Sequence, residues 1–356
     1  MLRVVDANVD RLGEGLRVLE DVARFLLDDA ELCRRLKTLR HKLVRDNRPL
    51  EQLLAARNAA HDVGAFVPSP AGTRHKDLPA LVKANARRVQ ESLRVLEEFA
   101  RLSPDSLVAR AEDLEHLRFE VYDLEQKLVS RLLRREKVKC LAGLYLILDT
   151  QALRGRNELE VAAQAIRGGV KAIQLRDKNC GRAKLLKTAQ SLKKVCAEKE
   201  ALLIINDYLD IALAAGADGV HLGQDDLPVA EARRLLPMDK LIGCSTATVS
   251  QARRAQSDGA DYVAVGSIYP TPSKEKFKLV GPGRLRQVKA RVSLPLIAIG
   301  GINQDNLGEV MKAGADGVAV INAVLGAEDI EEAARNMVTG LAQFSLRESG
   351  NGKSNL

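Results

Sequence analysis

Residues 202–223 read LLIINDYLDIALAAGADGVHLG. The first six, LLIIND, form a short apolar run rich in β-branched side chains and closed by polar residues, the signature of a strand buried on both faces. A helix-compatible stretch follows, and the glycine of Ala215-Gly216-Ala217-Asp218 stops it before GVHLG opens the next strand. This is one strand–helix–strand unit. The same grammar extends in both directions through LYLILD (144–149), VKAIQLR (170–176), KLIGCS (240–245), YVAVG (262–266), PLIAIGG (295–301) and GVAVI (317–321). Ala-Gly-Ala-Asp-Gly-Val at 215–220 returns as Gly-Ala-Asp-Tyr-Val at 259–263 and as Ala-Gly-Ala-Asp-Gly-Val at 313–318. Eight strand-like runs in about 200 residues predict an α/β fold of the (β/α)8 (TIM) barrel type. An open doubly wound sheet is the alternative; eight units and the lack of a GxGxxG turn disfavour it.

Outside this region the pattern changes. Residues 1–138 carry apolar side chains at helical steps, such as Leu16, Leu19, Val22, Ala23 and Leu26, and predict an all-α domain. Further stripes run through 79–101 and 107–135, and a loop from Gly64 to Pro79 separates the two parts. This half repeats itself. Ala7-Asn8-x-x-Arg11-x-x-Glu14-x-Leu16-Arg17-Val18-Leu19-Glu20 returns at Ala84 through Glu97, and Arg35-x3-Leu39-x-His41 returns at Arg110 through His116. A duplicated helical hairpin accounts for the echo, its polar residues either fixing the packing or building a ligand site. The expected division is therefore a helical domain at 1–138, a barrel at 139–345 and a disordered tail at 346–356.

The composition narrows the function. The chain has 356 residues, 46% of them apolar and 29% charged, with no Trp. No apolar run reaches the ~18 residues of a membrane helix, and MLRVVDANVDR is too charged for a signal peptide, so a cytoplasmic protein without a membrane partner is expected. The net charge of +8 is spread over both halves without interleaved aromatics, which favours an anionic small molecule over nucleic acid. Cys33, Cys140, Cys180, Cys196 and Cys244 form no CxxC pair, so neither disulfides nor structural zinc are expected.

Barrel active sites lie at the C-terminal ends of the strands. The second strand ends Gln174-Leu175-Arg176-Asp177-Lys178, and alternation puts Gln174, Arg176 and Lys178 on one face. Two cations and an amide there suit a polyanion such as a diphosphate. The third strand ends Asn206-Asp207 and the fourth Gly223-Gln224-Asp225-Asp226. Neighbouring strands are about 4.8 Å apart, so carboxylates from both can share one ion, and two carboxylates plus water and phosphate oxygens suit Mg²⁺. Asp225 competes with Asp226 for that place. His221, inside the fourth strand, is expected in the core rather than in catalysis. Ser245 and Thr246 put hydroxyls at the rim, and Gly266-Ser-Ile-Tyr-Pro-Thr-Pro-Ser-Lys274 leads into a long polar loop read as a lid. Gly300-Gly301-Ile302-Asn303 and Val320-Ile321-Asn322-Ala323 supply the backbone N–H groups of a phosphate cradle. A diphosphate pocket facing a monophosphate cradle implies group transfer between two anions.

At these residues the sequence resembles the thiamine phosphate synthase family over roughly 142–330. The resemblance lies in QLRDK, IINDYLDIALAAGADGVHLGQDDLP, IGCST, VGSIYPTPSK and IAIGGI, in order. It implies a transferase that joins hydroxymethylpyrimidine diphosphate to thiazole phosphate, forming thiamine phosphate and releasing diphosphate. It implies that Gln174, Arg176, Lys178, Asn206, Ser245 and Lys274 hold the pyrimidine diphosphate, with Arg176, Lys178, Ser245 and Lys274 serving catalysis. Asp207 and Asp226 would be Mg²⁺ ligands, and Thr271, Pro272, Ser273, Gly301, Ile321 and Asn322 would hold the thiazole phosphate. Asn322 stands where the family often has Ser. The alternatives are a thiazole tautomerase-like barrel and a non-catalytic thiamine-precursor sensor. The helical half resembles a domain attached to some of these synthases and is expected to be a packing or dimerisation module, or else an auxiliary pyrimidine phosphate kinase. Self-association into a homo-oligomer is compatible with either reading.

Overall fold

A computed structural model describes residues 1–44, 50–57, 75–102, 109–271 and 279–351. The chain divides into two compact units, Met1–Arg135 and Glu136–Leu356. The division falls inside one long helix, close to the boundary expected at 138/139.

The first unit is helical: α1 (Leu2–Asp21) runs into a π-helical turn (Val22–Leu26), then come α2 (Ala30–Val44), α3 (Leu50–Ala56), α4 (Leu78–Leu102) and α5 (Ala111–Lys139). The repeated sequences occupy α1 and α4, which pack on each other. Gly15 permits the approach, since a Cβ there would meet the Val89 Cγ2 at 2.7 Å. Both repeat asparagines do the same work: Asn8 Nδ2 donates to the Val4 carbonyl at 2.8 Å and Asn85 Nδ2 to the Leu81 carbonyl at 2.9 Å. Of the repeat glutamates, Glu20 and Glu97 turn inward as well, whereas Glu14 and Glu91 are exposed. Glu20 accepts from Arg40 at 2.8 Å, and fully buried Glu97 is enclosed by Arg94, Arg101 and Arg118 at 2.7, 2.6 and 3.2 Å. Of the Gly64–Pro79 loop, residues 64–74 lie outside the described residues. Pro79 belongs to the first turn of α4 rather than to the loop, because its missing N–H would have no helical partner there.

The second unit is a closed parallel barrel in the order β1 to β8, with β8 pairing to β1. Its strands are β1 (Leu144–Asp149), β2 (Ala172–Arg176), β3 (Leu202–Asn206), β4 (Gly219–Leu222), β5 (Leu241–Thr246), β6 (Tyr262–Val265), β7 (Leu296–Ile299) and β8 (Gly317–Val320). Alternation divides their side chains between two cores. Leu146, Ile173, Leu203, Val220 and Val263 pack outward under the helices, whereas Tyr145, Ala172, Leu202, Ile204, Tyr262, Ala264 and Ala319 fill the interior. Large and small residues face each other across neighbouring strands. Gly243 is the register partner of Tyr262, and a Cβ on Gly243 would lie 2.1 Å from the tyrosine Cζ.

The helices are α6 (Glu158–Arg167), α7 (Arg182–Glu198), α8 (Leu209–Ala214), α9 (Val229–Leu235), α10 (Val249–Ser257), α11 (Gly281–Lys289), α12 (Leu307–Lys312), α13 (Asn322–Leu325) and α14 (Ile330–Asn351). The recurring Ala-Asp phrase has a physical reason beyond its turn. Asp218, Asp261 and Asp316 each accept the backbone N–H that opens the preceding strand region, from Leu203, Ile242 and Leu296 at 3.0, 2.8 and 2.8 Å. Each also holds a cation, Lys193, Arg233 or Lys289. The expected tail at 346–356 starts as helix instead. Ile330, Ala334, Met337 and Leu341 form an apolar stripe that anchors α14, and the helix continues to Asn351; residues 352–356 lie outside the described residues.

Candidate active site

A cavity of about 720 Å³ opens at the C-terminal ends of the strands. It brings together Gln174, Arg176, Lys178, Asn206, Asp207, Asp226 and Ser245 from β2 to β5. On its other side stand Thr271, Gly301, Ile321 and Asn322, after β6, β7 and β8. Pro272, Ser273 and Lys274, with most of the loop read as a lid, lie outside the described residues.

On the β2 side the charges are arranged in depth. Gln174 is buried at the base and its Nε2 donates to the Tyr145 hydroxyl at 2.9 Å. Arg176 ion-pairs with buried Asp149, its register partner on β1. Lys178 is exposed beyond the strand end, and among the described residues it forms no ion pair. The guanidinium is thus held in place by a carboxylate while the ammonium stands at the cavity without an ion-pair partner among the described residues.

Asp207 and Asp226 touch. Burial, and then the contact with the Asp226 carboxylate, push the Asp207 carboxyl up to about 6, against the pull of Lys178 and Arg176. Asp207 adopts a left-handed backbone with φ of 64°, which Asp tolerates better than most residues. It is pinned by its N–H donating to the His221 carbonyl at 2.9 Å and by Tyr208 N–H donating to Asn206 at 2.8 Å. Asp226 Oδ2 accepts the Gly223 N–H at 2.6 Å, fixing the β4 side. Two carboxylates in contact require a proton or a cation between them, and hard oxygen donors suit Mg²⁺. Among the described residues no group of three or more His, Cys, Asp or Glu side chains gathers as a metal site. The pair therefore fits an ion that keeps water and substrate oxygens in its shell, the habit of Mg²⁺. Asp225 lines the cavity too, but it is Asp226 that meets Asp207.

The opposite wall is backbone. Gly300 and Gly301 have φ of 102° and 63°, and a Cβ on Gly301 would lie 2.4 Å from the Pro270 carbonyl oxygen. Asn306 Nδ2 donates to the Gly301 carbonyl at 2.9 Å and holds this turn. Ile321 precedes α13, so the amides of that first turn face the same end of the barrel.

Three further residues support the site, one behind Arg176 and two that line the cavity. Asp149 closes β1 and could have been noticed as an acid at a barrel rim. Gln224 donates to the Ser245 carbonyl at 2.7 Å, joining the β4 and β5 loops. His221 lines the cavity as well as the core: its Nε2 lies 2.9 Å from Ser245 Oγ and its Nδ1 3.1 Å from the Tyr262 hydroxyl.

Comparison with known proteins identifies relatives of both units. Residues 144–324 match the Thiamine monophosphate synthase family (TMP-TENI), and residues 3–127 match the ThiD2 family. A thiamine-phosphate synthase from a Synechococcus strain is 41% identical over 344 residues, covering 96% of each chain. One from a Synechocystis strain is 39% identical over 343 residues, covering 96% of this chain and 97% of its own. Among solved structures, thiamine phosphate pyrophosphorylase from Pyrococcus furiosus is 37% identical with a TM-score of 0.54, covering 58% of this chain and 98% of its own. With a family match over the barrel and relatives alike over nearly their whole length, the chain belongs to the thiamine-phosphate synthase family.

Proposed function

We propose that the barrel joins 4-amino-2-methyl-5-hydroxymethylpyrimidine diphosphate to thiazole phosphate. The bond from the pyrimidine methylene carbon to the diphosphate oxygen breaks, and the thiazole nitrogen bonds to that carbon. The products are thiamine phosphate and diphosphate. The observation that carries this reading is the contact between Asp207 and Asp226 beside Arg176 and Lys178, across one cavity from the glycine turn at Gly301.

Arg176, fixed by Asp149, and Lys178 stabilise the charge that grows on the departing diphosphate; Lys274 is assigned the same part from its place in the family motif. Asp207 and Asp226 would hold Mg²⁺, which when bound supplies further positive charge to the diphosphate oxygens. Gln174, Asn206 and Ser245 orient the pyrimidine. Its amino group donates electron density to the methylene carbon, so a dissociative departure is favoured. Gly301, Ile321, Asn322 and Thr271, with Pro272 and Ser273 beside it, hold the thiazole phosphate and aim the ring nitrogen. No protein nucleophile is needed, so positioning and leaving-group electrostatics carry the rate.

Mixing the two substrates with Mg²⁺ and following thiamine phosphate and diphosphate together tests the reading. Equal yields support it, and binding of both substrates without product would instead make the chain a sensor. A tautomerase-like barrel would keep the monophosphate wall but has no use for the Asp207–Asp226 pair.

For Met1–Arg135, the inward-turned Asn8, Asn85, Glu20 and Glu97 favour a packing or dimerisation module. An auxiliary kinase acting on pyrimidine monophosphate is the second reading, with which the ThiD2 match is compatible. Incubating the full chain with pyrimidine monophosphate and ATP separates the two, since only a kinase yields the diphosphate.

A further inference from the structure

We propose that a one-way chain of hydrogen bonds through the barrel interior, from Gln174 through Tyr145, Tyr262 and His221 to Ser245, fixes the His221 tautomer. The Ser245 hydroxyl thereby becomes a donor to the pyrimidine, and Tyr145 and Tyr262 are positioning residues. The ligand half of this inference rests on the reading of the cavity given above.

The geometry is continuous. Gln174 Nε2 lies 2.9 Å from the Tyr145 hydroxyl, which lies 3.0 Å from the Tyr262 hydroxyl. Tyr262 reaches His221 Nδ1 at 3.1 Å, and His221 Nε2 reaches Ser245 Oγ at 2.9 Å. Both tyrosines are almost wholly buried, at 1% and 0% exposure, so an unmatched proton there is costly. Burial also holds both phenols above their ordinary range, which keeps one proton on each.

Direction follows from counting protons. An amide nitrogen only donates, so Tyr145 oxygen accepts from Gln174. The single Tyr145 proton then goes to Tyr262, and the single Tyr262 proton to His221 Nδ1. An accepting Nδ1 carries no proton, so the ring proton sits on Nε2 and is donated to Ser245 Oγ. Ser245, already accepting, is left with its own O–H to donate. With Gln174 Nε2 donating, reversing a link between the tyrosines or to Nδ1 strands a buried hydroxyl proton, and reversing the link to Ser245 leaves the imidazole with no proton. At the two ends, Gln174 offers its carbonyl oxygen and Ser245 offers a proton, and both residues line the cavity. That polarity matches an aminopyrimidine, whose amine donates and whose ring nitrogens accept. Gly243 makes the chain sterically feasible, since a Cβ there would lie 2.3 Å from the Tyr262 oxygen and 2.5 Å from His221 Nδ1.

The test is ¹⁵N spectroscopy of the full chain labelled at histidine, with the His221 signals assigned by their loss in His221→Asn. The expected wild-type spectrum shows Nε2 protonated and Nδ1 bare; a proton on Nδ1 overturns the proposal without recourse to any variant. In Tyr262→Phe the tautomer becomes mixed. Affinity for pyrimidine diphosphate, measured by calorimetry, falls about five- to ten-fold, the worth of one neutral hydrogen bond. Affinity for thiazole phosphate stays within about two-fold, which reports an intact barrel. Equal losses for both ligands, or none for either, overturn the positioning role. Wild-type protein that makes no thiamine phosphate overturns the reading of the cavity, while the wild-type tautomer still decides the hydrogen-bond chain.

Discussion

Replacing Gly243 by Ala asks whether the barrel interior is as tightly determined as its register implies. The new methyl carbon would sit 2.1 Å from Tyr262 Cζ, 2.3 Å from its oxygen and 2.5 Å from His221 Nδ1. None of these is the free end of a flexible chain: Tyr262 is fully buried, and its oxygen is held by Tyr145 and His221. The ring has to move. Overpacking of this kind costs about 1–3 kcal/mol. Displacing the Tyr262 hydroxyl from its two partners costs about 0.5–1.5 kcal/mol for each bond. Together these give about 2–6 kcal/mol, and at about 2–4 °C per kcal/mol for a domain of this size the barrel transition falls by roughly 4–24 °C. Near-ultraviolet circular dichroism is the appropriate probe, because it reports the environment of buried tyrosines. Gly181→Ala is the control, since a Cβ there meets nothing within 4 Å and its φ of −63° is ordinary. A Gly243→Ala protein melting within about 1 °C of wild type would falsify the steric argument and the interior packing behind it.

Three further outcomes are expected. Lys178→Ala and Asp207→Ala each lower turnover by at least ~100-fold in the diphosphate-release assay, the range for losing one preorganised electrostatic group; wild-type rates in either would remove that residue from the site. Gly301→Ala must hold Ala at φ 63° and push against the Pro270 carbonyl, so KM for thiazole phosphate rises by about ten-fold or more while KM for pyrimidine diphosphate changes little. An equal rise for both substrates would place the turn elsewhere in the chemistry. Glu97→Ala strips the shared partner from Arg94, Arg101 and Arg118 and destabilises Met1–Arg135 by about 3 kcal/mol, read as an earlier helical transition by far-ultraviolet circular dichroism; an unchanged transition would show the cluster to be dispensable.

The barrel was legible because its strands are buried on both faces and announce themselves as apolar runs, and because Gly216, Gly259 and Gly314 mark helix ends with φ of 64°, 97° and 94°. Rim residues were legible by the same rule of strand ends. Partnerships were not. That Arg176 is tied to Asp149, or that Tyr262 stands opposite Gly243, depends on the register between consecutive strands, which no local pattern encodes. Nor does any local pattern announce that the Tyr145 and Tyr262 hydroxyls meet, since only three-dimensional packing brings them together. In the helical unit the duplication is plain in the sequence, but where Asn8 and Asn85 spend their hydrogen bonds is not. The helix through Asn351 was missed because polar residues past an anchored stripe carry no apolar periodicity of their own.

The three aspartates at the opposite end, Asp218, Asp261 and Asp316, each fasten a neighbouring strand and a cation far from the cavity. They act as clasps on the bottom hoop of a cask whose mouth is at the other end. With closure secured from below, the upper loops are relieved of holding the staves together and can be shaped by what they bind. Loosening one clasp should lower the temperature at which the cask falls apart and leave the work done at its mouth untouched.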